Sequence, residues 1–244
     1  MKKNVIFAIS MLVASFAVGQ NRNVEEVKVT APQFTGVENA IKIQNESSAN
    51  LIRNYLKENV GFPAEAAASK AEGTEVIQFT VTADGNVADF KIINSVCRDI
   101  DNELIRALKE TNGMWLPGYN NGKPVDMTKE VSMVFYLQRK TSNSINELFS
   151  KKATNYFNSG TVAFLEKNNP KKALKFYNWG ANYLPYDNSL LLMRGLCRYE
   201  LGDKEGAVND WNRMASLGGI DMSEYTSQIE GLKGYNELIA ILQK

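Results

Sequence analysis

The stretch "TEVIQFTVTADGNVADFKIINS", residues 74–95, limits the possible folds of this chain more than any other. Ile77, Phe79 and Val81 alternate with Gln78, Thr80 and Thr82, and Ala88, Phe90 and Ile92 alternate with Asp89, Lys91 and Ile93. A period of two sends one set of side chains to each face of a strand. Asp84-Gly85 supplies the positive φ angles of a two-residue turn, so the segment predicts a β-hairpin with one face to be covered. Helices on either side in sequence can cover it. Leu51, Ile52, Tyr55 and Leu56 recur at helical spacing in "SANLIRNYLKENVGFPAEA" until Gly61-Phe62-Pro63 stops the helix. Ile100, Leu104, Ile105 and Leu108 form one stripe in "DIDNELIRALKETNG", where Asp99, Asp101 and Glu103 complement the helix dipole and Gly113 is the stop. "WLPGYNNGKPVD" reads as a loop, and "KEVSMVFYLQ" as a third strand with Val131, Met133, Phe135 and Leu137 on one face. Helix, hairpin, helix, strand makes a small α+β layer.

The order and wording of these pieces resemble the TonB C-terminal domain family over roughly residues 48–138. The matching pieces are Phe62-Pro63 with Ala67, Gly73, "FTVTADGNV", Asn94-Ser95, Ile100-Asp101 with Ala107, Trp115-Leu116-Pro117-Gly118 and Gly122-Lys123-Pro124-Val125. The departure is "SVCRDID", where Cys97 and Arg98 replace a small, glycine-containing turn. The resemblance implies two helices on one face of a three-stranded antiparallel sheet. It also implies a binding mode, in which the last strand, at a sheet edge, accepts a strand from a protein partner. The positions concerned are Val131, Ser132, Met133, Val134, Phe135, Tyr136 and Leu137. A working TonB also has a membrane anchor and a long proline-rich spacer, whereas this chain has six prolines, none clustered.

Upstream, "VEEVKVTA" at residues 24–31 resembles the TonB box by which outer-membrane transporters are gripped, with Val27, Lys28, Val29 and Thr30 as its centre. Three readings stand side by side. The segment adds a strand to its own domain or packs across it, it fills the edge meant for a partner, or another TonB grips it.

From about residue 150 the chain repeats itself every 34 residues: Ala173 answers Ala207, Glu166 Glu200, Leu174 Val208, Tyr177 Trp211 and Phe157 Leu191. The period, with "ALKFYNWGANYLPYD" and "GLCRYELGDKEGAVNDWNRMA", resembles tetratricopeptide repeats over roughly 150–219, an all-α module of helical hairpins. Asn168-Asn169-Pro170 and Gly202-Asp203 fall at the turns, and Thr161 stands where Gly195 stands in the second copy. Phe157, Phe164, Tyr177 and Trp211 read as interhelix core, and Lys167, Lys171, Lys172 and Lys175 as a solvated face. The resemblance implies a groove lined by Asn155, Asn158, Val162, Leu165, Ser189, Leu192, Leu196 and Tyr199, open to a peptide or filled by the protein's own segments. With only two repeats, "SQIEGLKGYNELIAILQK" is the expected cap, although Gly231 and Gly234 weaken its start.

Basic Met1-Lys2-Lys3-Asn4, the apolar run Val5 to Val18 and the small residues of Ala17-Val18-Gly19 form an export signal. The run is short against the roughly 20 residues that span a bilayer, so cleavage is expected over a retained anchor. The expected division is a signal at 1–19, a leader at 20–47, the sheet domain at 48–140, a linker at 141–150 and the helical module at 151–244. Without Lys2 and Lys3 the formal charge of +1 turns slightly negative, which gives no cause to expect nucleic acid. Histidine is absent, and there is no glycine-rich phosphate loop, Cys-x-x-Cys pair or Gly-x-Ser-x-Gly turn. Cys97 and Cys197 are compatible with a disulfide between domains or with two small buried hydrophobes. The resulting expectation is a non-enzymatic periplasmic adaptor with protein partners in the periplasm or outer membrane, no cofactor or metal, and no small-molecule substrate. The alternative is a TonB-type energy transducer anchored in the inner membrane.

Overall fold

The computed structural model describes residues 28–37, 47–137 and 141–243. The expected signal, and Val27 of the leader, lie outside the described residues. The chain divides into two compact units, residues 1–139 and 140–244.

In the first unit the leader is part of the domain. Strand β1 (Val29–Thr30) and strand β2 (Gln33–Phe34) precede helix α1 (Ser48–Asn59), whose N-cap Ser47 accepts a bond from the Asn50 N–H. Pro63 disfavours helical backbone at the residue before it, so α1 ends and a short helix, α2 (Ala64–Ala68), starts afresh. Strands β3 (Gly73–Val81) and β4 (Val87–Asn94) form the expected antiparallel hairpin. Its turn differs from the two-residue form. Thr82 N–H bonds Asn86 O and Gly85 N–H bonds Thr82 O, both at 2.9 Å, and Gly85 alone in the turn has positive φ (+79°). That is a three-residue loop with glycine at the left-handed position. A Cβ on Gly85 would lie 2.3 Å from the Trp115 carbonyl oxygen, so no other residue fits.

Helix α3 (Arg98–Lys109) follows, then β5 (Trp115–Leu116), β6 (Gly118–Asn120), β7 (Lys123–Val125) and β8 (Met127–Phe135). The expected loop at 115–126 is thus a set of short strands: β6 and β7 pair about Asn121 (φ +49°) and Gly122 (φ +77°), the two positive φ angles of a tight hairpin turn. Among the described residues these strands form three small sheets, β1-β6-β7, β2-β5 and β4-β3-β8, all antiparallel. Ile77, Phe79, Val81, Val131, Met133 and Phe135 share one core with Ile52 and Leu56 of α1 and Ile100, Leu104 and Leu108 of α3. Phe34 is 0% exposed, with its ring 5.0 Å from Trp115 and 5.5 Å from Tyr55. Its burial contributes roughly 2–3 kcal/mol and holds the leader in place.

β4 departs from strict alternation. The register shifts between Gln78 and Thr80, where Asp89 takes φ +50°. This bulge puts Val87 and Phe90, not Ala88, against the core.

The second unit contains α4 (Ser142–Thr161), a π-helical turn (Val162–Glu166), α5 (Pro170–Tyr183), α6 (Asn188–Glu200), α7 (Lys204–Ser216), a 3-10 turn (Met222–Glu224), α8 (Thr226–Ile229) and α9 (Tyr235–Leu242). The expected linker at 141–150 is therefore the start of α4, capped by Thr141. Asn169, with Pro170 behind it, Asp187 and Asp203 cap α5, α6 and α7 through side-chain bonds to backbone N–H groups. Consecutive helices pack side by side, α4 on α5, α5 on α6 and α6 on α7.

The close approaches correct the alignment of the repeat. A Cβ on Gly195 would lie 2.2 Å from Trp211 Nε1, and a Cβ on Gly160 would lie 2.6 Å from Tyr177 Cε1. Gly160, not Thr161, is therefore the counterpart of Gly195. The two glycines are one residue further apart than Ala173 and Ala207, and the π-helical turn absorbs the extra residue by bonding Lys167 N–H to Val162 O at 3.1 Å. Gly160→Ala is expected to cost about 1–3 kcal/mol by overpacking, despite the better helix propensity of alanine. Gly231→Ala, with nothing within 4 Å of its Cβ, is the control. Equal urea midpoints for the two variants would show that Tyr177 yields without cost.

Candidate functional site

β8 stands at one end of the β4-β3-β8 order, and β4 at the other. Through all nine pairs β8 keeps register with β3, from Gly73 opposite Phe135 to Val81 opposite Met127. Val131, Met133 and Phe135 point into the core as expected, whereas Leu137 lies beyond the strand, where its N–H reaches Glu72 Oε1 at 3.4 Å. Ser132 and Val134 are buried too, as is Tyr136 just past the strand, so from Val131 onward neither face lies open to water, whereas Thr128 near its start is exposed. β4 is built differently, with two register shifts, the left-handed Asp89, exposed Lys91 and Ile92 at 43% exposure.

Opposite Met133 in the register stands Glu75, which is 0% exposed and on the core face of β3. Its Oε2 accepts the Val96 N–H at 2.8 Å, while Oε1 meets no hydrogen-bond donor. Asp101, expected to serve the dipole of α3, is buried beside it, accepting from Ser95 Oγ at 2.8 and 3.0 Å. Burial pushes the Glu75 carboxyl up to about 9; the Val96 bond opposes this and the Asp101 charge adds to it. With that shift Glu75 holds its proton near neutral pH, and Asp101 can accept a hydrogen bond from it. Sequence reasoning passes over Glu75, although it is two residues from Ile77 and shares the period of Ile77 and Phe79, which is the available signal of an acid on the core face.

The leader lies on β6, with Val29 opposite Asn120 and Thr30 opposite Tyr119. Lys28 N–H donates to Asn121 Oδ1, and Asn121 N–H returns a bond to Lys28 O, both at 2.9 Å. Gln33 and Phe34 pair with Leu116 and Trp115. Among the described residues the leader pairs with β5 and β6, and β8 pairs with β3 alone.

In the helical unit the eight expected groove residues separate into two sets. Leu192 and Leu196 are fully buried and line no open groove. Ser189 accepts from the Tyr225 hydroxyl at 2.8 Å, and Tyr199 donates to Glu237 of α9 while stacking on Trp211. The C-terminal segment fills this half: Ile229 and Leu238 enter the same core, and Gly234 (φ +88°) fits because a Cβ there would lie 2.6 Å from the Tyr199 ring. The glycine that weakened the sequence signal for α9 is the residue that lets α9 dock. Asn155 and Asn158 remain exposed, and Val162 and Leu165 half-buried, on the first hairpin.

A buried ion pair that the sequence did not signal joins α6 to α7. Arg194 grips Asp210 with Nε and Nη2 at 2.9 and 2.7 Å, and Arg198 Nη1 adds a contact at 2.8 Å. Cys97 and Cys197 are both free thiols, and burial pushes the Cys197 thiol well up, which leaves it a poor nucleophile. Among the described residues no group of His, Cys, Asp and Glu could hold a metal ion, and no helix is long and apolar enough to cross a membrane.

Comparison with known proteins bears on the sheet domain. Residues 58–137 match the family model described as Gram-negative bacterial TonB protein C-terminal. Among solved structures, the chain is similar to the solution structure of the Helicobacter pylori TonB C-terminal domain, with 19% identity, coverage of 38% of this chain and 96% of that one, and a TM-score of 0.30. No curated protein matches the chain. It is thus the segment from the end of α1 to just past β8, residues 58–137, that is similar to the C-terminal region of TonB.

Proposed function

We propose that this chain is a protein-interaction adaptor of the Gram-negative cell envelope, exported to the periplasm, that takes a strand from a protein partner along β8. The observation that carries this reading is the coincidence of the family match with a sheet whose last strand is β8. Main-chain hydrogen bonds along a regular edge give affinity in strand addition, and a bulged, charged edge discourages it. That contrast favours β8 over β4. The position of the leader on β6 supports its reading as an added strand of its own domain. The helical unit, with its paired helices and its two matched contacts of glycine with an aromatic ring, is proposed as a tetratricopeptide-type module offering a second protein-binding surface. Catalysis is no part of this reading.

A photocrosslinking residue at Leu137 is expected to capture a specific envelope protein in living cells, and one at Ile92 to capture none. Equal capture from both positions, or none from Leu137, would sink strand addition at β8. The energy-transducer alternative rests on residues 1–19, outside the described residues. Intact mass after fractionation separates the two: a chain starting near Gln20 in the periplasm favours the adaptor, and one starting at Met1 in the inner membrane the transducer.

A further inference from the structure

We propose that the surface shared by α4 and α5 docks an acidic segment of a protein partner, with an apolar side chain of that segment seated beside Phe176. The proposal deepens the second half of the adaptor reading and rests on it.

Charge is the first observation. Residues 141–186 carry Lys151, Lys152, Lys167, Lys171, Lys172 and Lys175, against only Glu147 and Glu166. Lys151, Lys167, Lys171, Lys172 and Lys175 are all exposed, and none makes an ion pair among the described residues. A cluster in which lysines outnumber carboxylates this far repels itself, and an anionic partner relieves that repulsion.

Aromatic exposure is the second. Trp179 is 50% exposed, the largest side chain so placed among the described residues. Its ring lies 5.5 Å from Tyr156 and 5.6 Å from Phe176, so three aromatic side chains make one continuous patch across the two helices. Lys172, Lys175, Phe176 and Trp179 follow helical spacing along α5, which puts the ammonium groups on the border of the patch. Aromatic anchors bordered by charge are the usual composition of a protein-binding hot spot.

Shape is the third. A depression lined by Asn158, Val162, Ala163, Lys167, Lys172 and Phe176 opens at the π-helical turn. Its lining, which also includes Ser159, combines apolar Val162, Ala163 and Phe176 with two lysines, which suits an apolar side chain flanked by carboxylates. The turn exists because of the extra residue between the two copies of the repeat, so the second hairpin has no such feature.

The test uses the intrinsic fluorescence of the full-length exported chain. Of its three tryptophans, Trp115 and Trp211 are buried and Trp179 is not, so acrylamide quenching reports on this surface. The probes are a Glu/Asp-rich peptide with one central Leu, a Lys-rich peptide of equal length and soluble peptidoglycan fragments. The acidic peptide is expected to shield Trp179 at low ionic strength and to lose affinity as salt rises. The variant with Lys172→Glu and Lys175→Glu is expected to bind it at least about tenfold more weakly, with unchanged circular dichroism. Absence of shielding by the acidic peptide at low salt, equal affinity for the charge-reversed variant, or shielding by the glycan fragments alone would each overturn the proposal. None of these outcomes touches the crosslinking test at β8.

Discussion

Replacing Asp210 by alanine is expected to destabilise the helical unit by about 3 kcal/mol or more. Asp210 is the acceptor for two arginines of α6: its side chain is 5% exposed, and it receives both the bidentate fork of Arg194 and a bond from Arg198. Truncation leaves two guanidinium groups side by side in a site with little water. Arg198 already bears a cost there, since burial pulls its pKa down while Asp210 pulls it back up. Its remaining partners, Gly206 O at 3.1 Å and Asp203 at 3.7 Å, do not replace the lost carboxylate. Lys233→Ala is the contrast, because that lysine meets Glu200 from a largely exposed position and its loss is expected to cost under about 1 kcal/mol. Urea denaturation followed by circular dichroism gives both values. If Asp210→Ala moved the midpoint no further than Lys233→Ala, the pair would be a surface contact in energetic terms.

What the sequence disclosed, and what it withheld, follows from how local each signal is. The strands β3 and β8 and the helices α1 and α3 were legible because Ile77, Phe79 and Val81, or Ile100, Leu104 and Leu108, keep one period over a whole element. The bulge at Asp89 was not, since one left-handed residue shifts the later side chains of β4 without altering its composition. The β6–β7 hairpin was missed although Asn121-Gly122 is a strong turn signal, because its flanking strands are too short to show alternation. Phe34 carried no hint of its burial, which comes from Trp115 and Tyr55, distant in sequence.

The repeat shows the same limit from the other side. A fixed offset of 34 paired Tyr177 with Trp211 correctly and then paired Thr161 with Gly195, because a single inserted residue is invisible to a fixed offset. Only the contact of Gly160 with the Tyr177 ring reveals where the insertion went. The groove reads from the sequence as open to a peptide or filled by the protein's own segments, and around Leu192 and Leu196 it is filled, because Ile229 and Leu238 of the C-terminal segment enter the same core.

Between about pH 5 and pH 8 the sheet domain is expected to lose stability as pH rises, by at most about 1.4 kcal/mol per pH unit. The cause is Glu75. Its carboxyl titrates at about 9 in the folded chain against 4.5 for the free side chain, so across that interval the folded state holds a proton that the unfolded state has released. The contribution is complete below the lower value and is lost as pH climbs to the upper one, the reverse of a salt-bridged carboxylate. Above it, Glu75 and Asp101 would both be charged within one buried site, with Val96 N–H and Ser95 Oγ as the hydrogen-bond donors to their side chains among the described residues. Glu75→Gln keeps the shape and a donor for Asp101 while removing the titration. The variant is expected to be more stable than the parent at pH 8, and to gain little at pH 5. Other carboxylates, such as Glu103, which Arg106 holds below its usual value, contribute equally to both proteins and cancel in the difference. Urea midpoints at the two pH values measure that difference directly. Parallel pH profiles for parent and variant would show that Glu75 is already ionised at neutral pH and that water, or a shift of α3, shields it.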